Sequence, residues 1–394
     1  MENRKYIAQV AFLSVFFDDS SDSDDSEEDD LVVYPLSLAS SSLKWQNIPR
    51  ERHRQKKYTR NVVSHFHLDE FKTFFRVDRV SVQGLKEKIS SICTQQNISG
   101  ILCRTSTGGS AQTPLEDRLL MFLWYMASLD KYAAIADRFG TSESTALYAI
   151  HNFITFINDY LLDAVILWPT PPEMQEIKDM YFELKGFPGI IGFIDGTHIP
   201  IKRPSERGID YYNRKDFYSI VLQAVVREDL RFIDIFAGFP GKVHDARVFR
   251  HSKLFENGPE LCGDGHLLGD SAYPNLSWLL TPFRDNGHLT EVQTHYNYTH
   301  SSIRSTVERA FGLLKGRFTR LKYLDQNDTK LMVKTIVTGC ILHNICILNN
   351  DDFQDMMTDE QVPQVMPSAG EYDQALMNRG SLKRLQIARA LSHI

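Results

Sequence analysis

Apolar side chains change rhythm along this chain, and the changes predict its elements. Ile190-Ile191-Gly192-Phe193-Ile194 is a short, almost uninterrupted apolar run, the pattern of a strand buried on both faces. Asp195 closes it, and Gly196-Thr197 turns the chain. Leu267-Leu268-Gly269 is a second run of this kind, closed by Asp270 and stopped by Pro274. From Ile303 to Phe318 the rhythm becomes helical: Ile303, Val307, Phe311, Leu314 and Phe318 recur at three- and four-residue spacing. Glu308 flanks that stripe, where a side chain can turn inward to a site. Two carboxylates at strand ends predict one shared rim, with a helix-borne glutamate beside it.

The first half of the chain reads as helical. Residues 62 to 103 suit short helices anchored by Phe66, Leu68, Phe71, Phe74 and Phe75, and Gly108-Gly109 marks a loop. Leu115 to Leu162 is again helical in period. Within it, Ala134 to Ser142 resembles a helix-turn-helix: Ala136 and Gly140 allow close packing and a sharp turn, and Ser142 is placed to cap a helix from Glu143 to Ile157. That second helix starts with Glu143, Ser144, Thr145 and Tyr148 and has no basic residue, so its own affinity for phosphate is poor. A packed helical subdomain and a DNA-orienting element both fit. Toward the end, the polar, Asp-rich stretch from Asn349 to Gly370 predicts a mobile connection, and Ser381 to Leu391 a short amphipathic helix.

Composition adds limits to this picture. With 394 residues, 42% of them hydrophobic, the chain can bury a sizeable core. Its five cysteines form no C-x-x-C pair, which argues against a disulfide framework or a zinc ribbon and predicts a reducing compartment. The net charge of −6 is uneven: residues 1 to 30 carry ten acidic and two basic side chains, leaving 40 acidic against 42 basic in the remainder. Residues 18 to 30 have nothing apolar to bury and predict a solvated tail, in which Ser21 and Ser26 each precede an aspartate by three residues, as targets of an acidophilic kinase do. Arg50, Arg52, Arg54, Lys56, Lys57 and Arg60 form a basic cluster that suits DNA steering, nuclear import or a plain linker. Tyr6 to Phe17 superficially resembles a signal peptide, but it is too short to span a bilayer and an acidic run follows it. Leu331 to Leu348 is interrupted by Lys334, His343 and Asn344, so the expectation is a soluble intracellular protein with no membrane partner.

Carboxylates gathered on a sheet edge repel one another unless a cation sits among them. Hard oxygen ligands suit Mg²⁺ or Mn²⁺, and an open site of this kind suits chemistry on a phosphodiester. Basic residues adjoin the acids in sequence: Lys202, Arg203, Arg207, Arg214 and Lys215 follow Asp195, and Arg304, Arg309, Lys315, Arg317, Arg320 and Lys322 surround Glu308. Of these, Lys202, Arg203, Arg214, Lys215, Arg304, Lys315 and Arg317 are the expected contacts to DNA phosphates. Tyr211, Tyr212 and Trp278 suit base stacking or the core, and His198 and His244 suit orienting a ligand or bonding a backbone carbonyl. Each acid also has a simpler reading. Asp195 and Asp270 fit turns, Asp245 fits the cap of a helix starting at Ala246, and Glu308 fits an ion pair with Arg304 one turn earlier.

The ordered motifs GFPGIIGFIDGTHIPIKRP (186 to 204), YYNRKDFYSIVLQAVV, GFPGKVHDARVF, LLGDSAYP, RSTVERAFGLLKGRF and ILHNICI (341 to 347) resemble PIF/Harbinger transposases and their host-adopted nuclease-like relatives. The resemblance runs from about residue 58 to 350. It implies an α/β fold with an RNase-H-like mixed-sheet core and a catalytic triad of Asp195, Asp270 and Glu308, with Asp245 as a further metal ligand. It implies two Mg²⁺ or Mn²⁺ ions promoting in-line attack on DNA, by hydrolysis or strand transfer, and a Myb-like partner protein. The expected organisation is a tail (1–60), a helical region with the helix-turn-helix-like segment (61–180), the nuclease domain (181–350) and a connection with a short helix (351–394). Nucleus and cytoplasm are the expected locations, and oligomeric state is left open. The competing reading is a domesticated DNA-binding or scaffold protein, catalytically silent, that keeps the acids without turnover.

Overall fold

The computed structural model describes residues 8–10, 57–96, 113–353 and 373–392. Among them six strands form one sheet: β1 (Ala8–Val10), β2 (Ile190–Pro200), β3 (Ser219–Val226), β4 (Phe232–Pro240), β5 (His266–Leu268) and β6 (Leu279–Leu280), in the order β1-β4-β3-β2-β5-β6. β2, β3 and β4 form an antiparallel meander; β5 joins the other edge of β2 in parallel, and β6 joins β5 in parallel. A three-strand meander continued by parallel crossover strands is the RNase-H-like arrangement, as the motifs imply. Every residue of β3 and β4 is buried, so both faces of the sheet are covered.

The helices are α1 (Tyr58–Asn61), α2 (Leu68–Phe75), α3 (Arg79–Gln95), α4 (Leu115–Ala127), α5 (Tyr132–Arg138), α6 (Glu143–Val165), α7 (Pro171–Lys185), α8 (Asp245–Arg250), α9 (Lys253–Cys262), α10 (Glu291–Arg317), α11 (Thr329–Leu348) and α12 (Gln374–Leu391). One sheet face, with Phe193, Ile199, Leu222, Ala224 and Ile235, shares the main core with Phe122 of α4, Phe153 of α6, Val307 of α10 and Ile336 of α11. The opposite face, with Ile191, Ile194, Val225 and Ile233, packs against Phe249 of α8, Leu254 of α9 and Trp278. A third cluster joins Val221, Phe236 and Phe239 to Val248. Gln223, on the strand between Val221 and Val225, interrupts the apolar lining of this second face, and neither of its amide atoms has a partner.

Two helices, α5 and α6, flank a turn at Phe139 to Thr141, where the sequence places the helix-turn-helix-like segment. Ser142 caps α6, its hydroxyl accepting from Thr145 N at 3.1 Å. α6 runs on to Val165 and is a core element: Ala146, Ile150, Phe153 and Ile157 are buried, and Asn158 Nδ2 donates to Lys334 O and Thr338 Oγ1 of α11. Its exposed start, with Glu143, Ser144 and Tyr148, presents no cation. α11 is long and apolar enough to cross a membrane by length and composition, yet 72% of its apolar window is buried inside the protein, as in a central core helix.

Three features depart from the sequence expectations. Ala8–Val10, within the predicted tail, adds a parallel strand to β4. Asp351, in the predicted mobile connection, is buried and ion-paired with Arg317. The C-terminal helix spans Gln374–Leu391, a longer element than predicted: it starts at Gln374, where the Asp373 carboxylate accepts from Ala375 N, and its far end docks on the core through Ile387, Ala388 and Leu391. The acidic run 18–30 and the basic cluster up to Lys56 lie outside the described residues.

Candidate active site

Strand register places the first two acids. Phe193 of β2 pairs with Leu268 of β5, so Asp195 within β2 and Asp270 just beyond the end of β5, each two residues later, stand at the same level. Neighbouring strands lie about 4.8 Å apart, which brings the two side chains to one rim. Asp195 Oδ1 accepts from Gly196 N at 2.8 Å, and Asp270 Oδ1 accepts from Ala272 N at 3.0 Å. Asp270 makes the turn expected of it, whereas the turn expected at Asp195-Gly196 does not form, because β2 runs on to Pro200 in register with β3; each aspartate leaves its second oxygen for other work. Asp245, first residue of α8, reaches over β2: its Oδ1 lies 2.5 Å from where a side chain at position 196 would begin. Only glycine at 196 leaves that carboxylate its place.

The three aspartates share one electrostatic environment. Burial pushes Asp245 up to about 7, and the Asp270 and Asp195 charges add to the rise. Burial and then the Asp195 charge push Asp270 up to about 6, against the opposing pull of Arg304. Asp195 is also raised, chiefly by burial, although Arg304 draws it the other way. The Tyr273 hydroxyl is buried without a hydrogen-bond partner; burial and then Asp245, Asp195 and Asp270 raise it.

Glu308 joins this group through an intermediary. Arg304 Nη1 donates to Asp195 Oδ2 at 2.8 Å, and its Nη2 donates to Glu308 Oε1 at 2.7 Å. The Glu308 side chain is 59% exposed, against 13% for Asp195 and 11% for Arg304. The simple i,i+4 pair and the triad are thus two halves of one arrangement, with a guanidinium between the carboxylates. As placed, no group of three His, Cys, Asp or Glu side chains among the described residues forms a ready metal cage.

Comparison with known proteins agrees with this architecture. A DDE superfamily endonuclease domain matches residues 194–344. Putative nuclease HARBI1 of Mus musculus is 30% identical over 254 residues, covering 62% of this chain and 71% of the relative. The chain belongs to the Harbinger transposase-derived DDE endonucleases. Protein ALP1-like of Arabidopsis thaliana is 31% identical over 265 residues, 63% of each chain, so the match spans just under two thirds of that relative. Protein Antagonist of Like Heterochromatin Protein 1, also of Arabidopsis thaliana, is 27% identical over 325 residues, 78% of each chain. No solved structure matches.

In this chain the expected DNA contacts separate into two groups. Lys202, Arg203, Arg214 and Lys215 are exposed; Lys202 Nζ bonds Asn327 Oδ1 at 2.9 Å, and Arg214 bonds His244. Lys315 lies beside the rim, its Nζ donating to Thr197 Oγ1 at 2.8 Å and His198 O at 3.0 Å. Arg304 is occupied by the two acids. Arg317 does not reach the surface: its side chain is 1% exposed, pairs with Asp351 at 3.2 Å and donates to Arg76 O. A buried guanidinium with an enclosed counter-ion cannot meet a phosphate, so Arg317 is corrected from DNA contact to structural pair. Tyr211 and Trp278 are core residues, while Tyr212 is exposed. His198 Nδ1 bonds the Ser219 hydroxyl at 2.9 Å instead of a backbone carbonyl.

Tyr273 and Gln223 were not among the residues expected at the site. Each had a signal: Tyr273 follows Asp270 by three residues, and Gln223 is the polar residue inside the apolar run Ile220 to Val226. Three buried aspartates supply hard oxygens whose mutual repulsion a divalent cation would relieve, which fits Mg²⁺ or Mn²⁺ in chemistry. The side chain between them that must adjust is Arg304.

Proposed function

We propose that the protein is a divalent-metal-dependent DNA nuclease, acting by hydrolysis or transposase-like strand transfer at the rim formed by Asp195, Asp245 and Asp270, with Glu308 beside it. The observation that carries this reading is the convergence of three buried acids from β2, the end of β5 and the start of α8 on one rim, each raised chiefly by burial, with the charges of its neighbours adding for Asp245 and Asp270. Charged carboxylates are costly to keep together in a buried place, and a site built this way suits binding a cation. A divalent cation there would be held by Asp195, Asp245 and Asp270 and would supply Lewis-acid polarisation of the phosphodiester and activation of water near neutral pH. Asp195 and Asp270 hold their geometry through strand register and their own backbone amides, so they are preorganised. Lys315, pinned to β2, puts a positive charge next to the rim, and Lys202, Arg203, Arg214 and Lys215 form an exposed basic surface for backbone phosphates. The start of α6 offers no cation, which favours supply of sequence recognition by a second, Myb-like protein. Action in the nucleus, with passage through the cytoplasm, goes with that partner.

The test is cleavage of labelled duplex and nicked DNA with Mg²⁺ or Mn²⁺, for wild type, Asp195→Asn and Glu308→Gln, with and without a Myb-like partner. The expected result is metal-dependent cleavage by the wild type that both substitutions abolish while DNA binding survives. Absence of cleavage with binding unchanged in all three proteins would overturn the nuclease reading and leave the DNA-binding scaffold.

A further inference from the structure

We propose that Arg304 is a positioning residue of this site: in the metal-free protein it serves as the built-in cation of the carboxylate rim, and it yields to a divalent ion, releasing Glu308 to the site as it does so. The inference rests on the metal-dependent reading above. Its basis is which oxygens are used. Asp195 Oδ1 is held by Gly196 N, so Oδ2 is the oxygen left to face an incoming ion, and Oδ2 is the atom that Arg304 Nη1 occupies at 2.8 Å. The same guanidinium holds Glu308 Oε1 at 2.7 Å through its other nitrogen. One residue therefore fills the position of an ion and restrains the carboxylate that would complete the ligand set.

An arginine suits this role because it keeps its charge at every working pH and its planar fork bridges two acids at fixed spacing. Its release does not require the helix to move. Lys315 Nζ ties α10 to Thr197 and His198 of β2 independently, one end of the contact remaining fixed while a side chain turns. Ser301, Ser305 and Glu308 around Arg304 on α10 are exposed, so a path toward solvent lies on the side of Glu308. A divalent ion brings twice the charge of the guanidinium to the same acids, and this favours the exchange.

The test measures Mn²⁺ binding to the full chain by the loss of the free-ion electron paramagnetic resonance signal. The proteins are wild type, Arg304→Gln, Arg304→Lys and Arg309→Gln; the last removes one exposed positive charge from the same helix. If Arg304 competes with the ion, Arg304→Gln binds Mn²⁺ about tenfold more tightly than wild type, within the usual range of coupling between two ligands. Arg304→Lys, which keeps the charge but lacks the fork, then binds about threefold more tightly. Arg309→Gln stays within about twofold, since an exposed charge is largely screened. Thermal melting gives a second readout: Arg304→Gln is destabilised in EDTA and recovers in Mn²⁺, whereas loss of a merely structural pair persists in both. Should Arg304→Gln not fold, Arg304→Lys decides. Equal or weaker Mn²⁺ binding by the Arg304 variants, with wild type binding normally, overturns this inference and leaves the nuclease reading standing. Absence of Mn²⁺ binding by every protein overturns both.

Discussion

Arg304 and Arg317 lie on the same helix, thirteen residues apart, and each grips a carboxylate, yet the two ends of α10 work differently. At the Arg317 end both partners are enclosed, 1% and 0% exposed, and Asp351 also pairs with Lys72 at 2.6 Å and accepts from Asp78 N at 2.8 Å. That network joins α10 to the start of α3 and to the chain just after α11. At the Arg304 end one partner is buried and the other open to water. A closed pair leaves an uncompensated charge when broken, so it acts as a fastener; a half-open pair has a solvated alternative for one partner and is exchangeable. Basic residues near an acidic cluster thus cannot be assigned to DNA by proximity in sequence.

The largest expected effect attacks the open end. Asp195→Asn should lower metal-dependent cleavage by about 10⁴-fold, some 5 kcal/mol of transition-state stabilisation, measured under single-turnover conditions. Next comes the closed end: Arg317→Met leaves buried Asp351 with Lys72 as its ion-pair partner and should cost about 3 kcal/mol in urea unfolding, with Mn²⁺ affinity unchanged. Equal loss of Mn²⁺ binding in that variant would erase the distinction between the two ends.

A smaller effect reads the acids through pH. Asp245 sits at about 7 in the metal-free fold because of burial and then the Asp270 and Asp195 charges, against about 3.9 for an aspartate in an unfolded chain. Between those values the folded chain holds a proton that the unfolded chain has lost, so stability falls as pH rises from about 4 to about 7. In EDTA, the melting temperature of Asp245→Asn relative to wild type should climb across that window, and Mg²⁺ should abolish the climb. The smallest effect belongs to the exposed lysines and arginines. Lys202→Ala or Arg214→Ala should each flatten the dependence of log K on log salt by about 0.9 for DNA binding, while Arg317→Met leaves it unchanged.

The same contrast explains what could be read from the sequence. Ile190 to Ile194 and Leu267 to Gly269 are legible because burial on both faces demands unbroken apolar runs, and Asp195 and Asp270 stand out as their ends. Ser142 and Gly140 are legible because caps and turns are local. β2 extends to Pro200, beyond its apolar run, because Asp195 to Ile199 pair with β3 whatever their polarity. The fate of Arg317 and Asp351 is tertiary: nothing in RSTVERAFGLLKGRF distinguishes the arginine that meets an acid at the rim from one that meets an acid in the core. Glu308 was legible as helical and acidic, but its link to Asp195 through Arg304 required both elements in place.

The register that sets Asp195 level with Asp270 also has a consequence in time. The two lie 75 positions apart, and Glu308 a further 38 beyond. At about 5–20 residues per second, a chain under synthesis carries Asp195 for roughly 6–23 s before Glu308 is made. Arg304 precedes Glu308 by only four positions, so the three aspartates exist together for the 34 positions after Asp270 before their cation is made. Because β2 needs β5 for its parallel partner, pairing across so long a separation is slow to close. The rim is therefore among the last features to be completed, and a chain that stops short of α10 carries the acids of a nuclease without the helix that governs them.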